Sequence, residues 1–102
     1  MQDLEKRIKP FRLEIDELDE KIVILLNKRA AAATNIGHIK REYNMPVYVP
    51  SREEEVLSHV KSLNPGPLSN NAIGRLFERI IDESRRLERE TSLIQKNEDK
   101  RD

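Results

Sequence analysis

The chain has 102 residues, of which 36% are hydrophobic and 37% charged, so one small domain is the most it can build and its apolar surface is scarce. Lys and Arg together number 19 and Asp and Glu also 19, a balance that argues against nucleic-acid binding, where affinity rests on a basic excess. Cysteine is absent, which removes disulfides and thiolate metal sites, and no apolar run approaches a signal peptide or a membrane span. A cytoplasmic protein with no membrane association is expected.

From Leu4 onward, apolar residues recur at alternating steps of three and four: Leu4, Ile8, Phe11, Ile15, Leu18, Ile22 and Leu25, then Ile36, Ile39 and Tyr43. Arg29 and Ala32 fill the two steps between. This is a helical seam, not the alternation of a strand. Pro10 suits a first helical turn better than an interior. The long helix is therefore expected to start near Pro10, with Gln2 to Lys9 as a kinked extension or a separate turn. Asn44 and Pro46 end it.

A second, short helix is expected from Pro50-Ser51-Arg52-Glu53-Glu54, with Ser51 and Glu54 at capping-box spacing. Its inner residues are Val56, Leu57, Val60 and Leu63. Asn64-Pro65-Gly66-Pro67 breaks it. Ser69 can cap a third, medium helix running to about Ile94, with Ile73, Phe77, Ile80, Ile81 and Leu87 inward. The all-polar stretch Lys96 to Asp102 is expected to be a disordered tail, leaving residues 1–95 as the domain.

The first helix, from Pro10 to Tyr43, would be roughly 50 Å long at about 1.5 Å per residue. A compact chain of about 100 residues has a radius of gyration near 13 Å. The helix overshoots its own globule, so its seam calls for a second copy. The expected fold is all-α, three helices per chain in an intertwined homodimer.

Candidate chemistry lies where polar residues interrupt apolar faces. Arg29 occupies the seam, and Lys40 stands eleven residues on, which at about 100° per step returns almost to the same face. Between them lie the small residues Ala30 to Ala33 and Gly37. Two cations flanking small residues describe a hollow for an anion; the alternative is that both snorkel outward. Ser84 interrupts the third helix one turn before Glu88, although Ser in a helix commonly bonds a backbone carbonyl and Glu is usually solvated. Glu53, one turn before Leu57, can point inward or serve only as a first-turn acid favoured by the helix dipole. Arg52 shares that ambiguity. Arg12 is rotated by about 100° from Arg29, so it fits a pocket of the partner chain in an antiparallel dimer. His38 and His59 lack metal-ligand spacing, and no metal is expected.

The order and spacing of these residues resemble the all-helical chorismate mutases, including mutase domains fused to prephenate dehydratase or to DAHP synthase. The resemblance is carried by Arg12 with Ile15-Asp16-Glu17-Leu18-Asp19, Leu25-Leu26-Asn27-Lys28-Arg29 and Ile36-Gly37-His38-Ile39-Lys40. It continues through Pro46-Val47, Ser51-Arg52-Glu53-Glu54, and Leu76-Phe77 to Ile80-Ile81 and Ser84. It implies a cofactor-free rearrangement of chorismate to prephenate, on the route to phenylalanine and tyrosine. Arg29 and the partner's Arg12 would grip the substrate's carboxylates with help from Ser84. Lys40 would donate to the breaking ether oxygen, Glu53 would bind the ring hydroxyl, and Arg52 would line the site. Val49 stands where relatives often carry an acid, so only its main chain can contribute. Glu88 stands where many relatives have Gln; a protonated Glu88 can donate to the ether oxygen, whereas an ionised one only accepts.

Two rivals remain on this reading. One is isochorismate–pyruvate lyase activity on the same scaffold. The other is a non-catalytic helical module that dimerises or regulates a DAHP synthase, with fusion to or association with that enzyme.

Overall fold

The structure, a computed structural model, describes residues 2–99, with side chains described through Thr91. It contains three helices in the order α1 (Gln2–Glu42), α2 (Pro50–Ser62) and α3 (Asn70–Asp99). They are 41, 13 and 30 residues long, the expected long, short and medium elements. Helix α3 packs against both α1 and α2, and those two do not pack on one another.

Helix α1 runs unbroken through Pro10, which corrects the expected start there. The proline deprives the Lys6 carbonyl of a donor, but both residues are exposed, so water can take that place. The seam register of Leu4 and Ile8 continues across it. At the other end, Asn44 adopts a left-handed φ of 56°, and the Met45 and Asn44 N–H groups bond to the Lys40 and Arg41 carbonyls at 2.7 and 3.1 Å. This is a Schellman stop with Asn in the position glycine usually holds. It turns the chain back directly after Lys40.

Helix α2 starts where expected but is capped differently. Pro50 opens the helix, Val49 is the N-cap in extended conformation (φ −128°), and no side chain caps it. Ser51 lies inside the first turn, because a proline with its φ already near helical values starts a helix one residue earlier. Leu63, grouped with the inner face, is the C-cap and is 64% exposed. Ser69 does cap α3: its Oγ accepts from the Ala72 N–H at 3.0 Å. The backbone stays helical to Asp99, into the segment set apart as a tail, and residues 100–102 lie outside the described residues.

Burial is sparse and local. Ala33, Gly37, Gly74, Ile81 and Glu88 are buried, all around the place where α3 meets its neighbours. A Cβ on Gly37 would stand 3.2 Å from Glu88 Cγ, and one on Gly74 would stand 2.9 Å from Lys61 Cε. Glycine at these points lets a side chain of the facing helix lie against the backbone. By contrast, Leu4, Phe11, Ile15, Leu18, Ile22 and Leu25 are 47–66% exposed. The molecule measures 66 × 31 × 16 Å with a radius of gyration of 18.8 Å, well beyond the ~13 Å of a compact chain this size.

Candidate active site

Helix α3 settles on the small-residue face of α1, where Ala33 and Gly37 allow close approach. The seam residues Ile36, Ile39 and Tyr43 stand one position further round and remain exposed. Arg29 sits at the border of the two faces, so its side chain reaches across to α3. Its Nη1 donates to Ser84 Oγ at 2.7 Å, and that hydroxyl donates in turn to the Ile80 carbonyl at 3.0 Å. Ser84 thus makes the backbone bond common to helical serines and also receives the arginine.

A cavity of about 470 Å³ opens beside this contact, within the size range of small-molecule sites. Helix α1 contributes Arg29, Ala33 and Lys40 to its wall, and α3 contributes Ile81, Ser84 and Glu88. Val49, Arg52 and Glu53 close it from the loop and from the first turn of α2. Four basic and two acidic side chains line it (Arg29, Lys40, Arg52 and Arg85 against Glu53 and Glu88), an excess of two positive charges that suits an anion.

Lys40 is held from two sides. Its Nζ donates to the Val47 carbonyl at 3.0 Å and stands 3.6 Å from Glu88 Oε2. The Schellman stop makes the first contact possible, since it folds residues 45–49 back over the end of α1. The Glu88 side chain is 9% exposed, and its Oε2 accepts no hydrogen bond. It is held near Lys40 by charge, with its carbon chain against Gly37.

Val49 is half-buried, and its carbonyl accepts from the Arg52 and Glu53 N–H groups at 3.1 and 3.3 Å. Its own N–H is the main-chain group not engaged in starting α2. Arg52 lies at the rim: its side chain is 71% exposed and its Nη1 pairs with Glu55 at 3.3 Å. Arg12 is exposed and does not line the cavity of its own chain. Among the described residues no cluster of three His, Asp or Glu is placed to hold a metal.

Sequence reasoning missed Arg85. Its Nε is 3.1 Å from Glu53 Oε1 on α2, it also pairs with Asp82 one turn back on α3, and its guanidinium carbon lies 4.8 Å above the centre of the Tyr48 ring. The Asp82 hydrogen bond foremost, with the charges of Glu53 and Asp82, raises its pKa above the usual arginine value, while burial pulls the other way. The signal was present in the chain: Ile81, Arg85 and Glu88 continue a four-then-three spacing, so a residue between a core isoleucine and a cavity acid faces inward.

Fold and site together define an all-helical protein with a cation-lined cavity for a small anion, built where one long helix, a short helix and their connecting loop meet a third. Residues 11–89 match the family model described as chorismate mutase type II. The chain belongs to that family. It is 42% identical over 80 residues to the bifunctional chorismate mutase/prephenate dehydratase of Pseudomonas aeruginosa, a match covering 74% of this chain and 22% of that protein. It therefore spans about a fifth of the length of such relatives. Among solved structures, the form II chorismate mutase of Thermus thermophilus superposes with a TM-score of 0.80 at 37% identity, covering 81% of this chain and 94% of that one. The Helicobacter pylori chorismate mutase in complex with prephenate gives 0.78 at 29% identity, covering 84% and 93%. The Pseudomonas relative joins its mutase to a prephenate dehydratase, not to the DAHP synthase that the resemblance also allowed.

Proposed function

We propose that this chain is a chorismate mutase acting in aromatic amino-acid biosynthesis, converting chorismate to prephenate by a Claisen rearrangement. The observation that carries the reading is the convergence of Arg29 and Lys40, from one helix, on a single cavity faced by Ser84 and Glu88 from another. The reaction is unimolecular, so it asks for no nucleophile, general base or cofactor. What it needs is the flexible enolpyruvyl ether folded over the ring, and a clamp on both carboxylates can hold that shape.

Arg29 suits the clamp because its one close partner in the site is a neutral hydroxyl, leaving its charge for a carboxylate. Ser84 steers it. The second clamp residue we assign is Arg12 of the partner subunit, in a homodimer whose two α1 helices cover one another's seams. As the ether C–O bond breaks, negative charge gathers on its oxygen, and Lys40 is the cation we assign there. Glu53 accepts from the ring hydroxyl, the Val49 N–H adds a main-chain donor, and Arg52 closes the rim. Glu88 stands next to Lys40 and, when protonated, donates to the same oxygen. The compartment we propose is the cytoplasm; no helix among the described residues is long and apolar enough to cross a membrane.

Incubating the purified protein separately with chorismate and isochorismate tests this. Loss of chorismate absorbance with formation of prephenate is expected. Free pyruvate from isochorismate alone would make it a lyase, and no turnover of either would leave a helical binding module.

A further inference from the structure

Arg85 stands on the cavity wall but cannot be a third clamp residue. Arg29 rests on a neutral hydroxyl, whereas Arg85 faces two carboxylates, Asp82 on its own helix and Glu53 on α2. Its charge is spoken for. Its side chain and that of Glu53 are 25% and 24% exposed, so the pair is largely withdrawn from solvent screening. The Nε approaches Glu53 Oε1 to 3.1 Å without lying on the line of a hydrogen bond, which leaves an ion pair that fixes position more than direction. Direction comes from the other two contacts: Asp82 holds one end of the guanidinium, and the Tyr48 ring supports its face. Because Tyr48 belongs to the loop that also presents Val47 to Lys40 and Val49 to the cavity, one side chain joins α3, α2 and that loop.

We infer that Arg85 is a positioning residue: seated on Tyr48 and tethered to Asp82, its guanidinium holds one oxygen of Glu53, so that the other faces the cavity ready to accept from a substrate's ring hydroxyl. This rests on the mutase reading and adds to it a residue that never touches the substrate. A carboxylate on the first turn of a short helix has several rotamers within reach of the cavity. Pairing it from behind selects one of them before substrate arrives, so the ordering does not have to be met on binding. Specificity for a hydroxylated ring then depends on Arg85 as well as on Glu53.

The test compares chorismate with 4-deoxychorismate, which lacks the ring hydroxyl, in wild type, Arg85→Leu, Arg85→Lys and Glu53→Ala. In wild type the hydroxyl contributes roughly 10- to 100-fold in kcat/KM, the range of a hydrogen bond to a charged acceptor. Arg85→Leu should lose most of that factor on chorismate while turning over the deoxy analogue almost as wild type does. Arg85→Lys should recover part of it, since it restores the charge but not the planar fork. Equal losses on both substrates, or an undiminished hydroxyl preference in Arg85→Leu, overturn the inference. A second measurement does not depend on turnover. In the free protein the Arg85 Nε–H, shut off from water though not hydrogen-bonded, should exchange slowly, and Glu53→Ala should speed that exchange by uncovering it. An exchange rate unchanged by Glu53→Ala would show that the pair does not hold, whether or not the wild type is a mutase.

Discussion

The two halves of α1 carry the same spacing of apolar residues and meet opposite fates. Between Gln2 and Leu25 none of the described residues is buried, and the seam from Leu4 to Leu25 is open along its length. Beyond Arg29 the helix has α3 beside it, Ala33 and Gly37 are buried, and a cavity forms. The difference is one of supply. A chain of 102 residues with so little apolar content has one helix to lay against α1, and it lies against the C-terminal half. The half without cover carries most of the large apolar side chains of α1, with Ile22-Val23-Ile24-Leu25-Leu26 all exposed. An open stripe of that kind marks an association surface. The covered half is the one of small residues, where packing is spent on placing Arg29 and Lys40 instead of on filling a core.

The contrast can be broken most severely from the open half. Replacing Leu18 and Ile22 together by Asp puts isolated carboxylates on the seam, and burial of each costs several kcal/mol. The symmetric dimer we propose would meet that cost twice. Sedimentation should show wild type at twice the chain mass and the variant as a monomer with no measurable turnover; a monomeric wild type would remove the dimer. In the covered half, Lys40→Ala should lower kcat by roughly 10²- to 10³-fold, as loss of a single donor to a developing oxyanion does, with dimer mass unchanged and thermal unfolding lowered because Glu88 is left without its cation. Near-normal turnover would remove Lys40 from the chemistry.

Smaller effects sharpen the picture of the cavity itself. Gly37→Ala gains helix propensity of about 1 kcal/mol but puts a Cβ 3.2 Å from Glu88 Cγ. Stability should therefore change little while kcat/KM falls roughly 10-fold or more through a displaced Glu88. A variant equally active and more stable would mean that Glu88 has room to spare. Glu88→Gln puts a permanent donor beside the ether oxygen and should keep or raise kcat, whereas Glu88→Leu, which can neither donate nor accept, should lower it; equal turnover in the two variants counts against the role. The smallest change is expected from the pair Arg52–Glu55, whose side chains are 71% and 67% exposed. Its loss in Glu55→Ala should cost roughly 0.2–1 kcal/mol in thermal unfolding.

Periodicity and punctuation made much of this molecule legible beforehand. The 3.6-residue repeat marked three helices, Ser69 marked a cap, Asn44 marked a stop, and cations within a seam marked the wall of a cavity. These are local properties, decided by neighbours within about one helical turn, and a sequence displays them directly. Pro10 misled because its cost depends on exposure. Ser51 misled because a proline beside it could start the helix first. Tertiary structure alone decided which face of α1 receives α3: the small-residue face one position away from the seam, since only there can two backbones approach closely. That choice brought Arg29 to Ser84 and Glu88 to Lys40, and it set Arg85 between Glu53 and Tyr48. The last of these joins residues 32 and 37 positions apart in the chain, an encounter that no local pattern encodes.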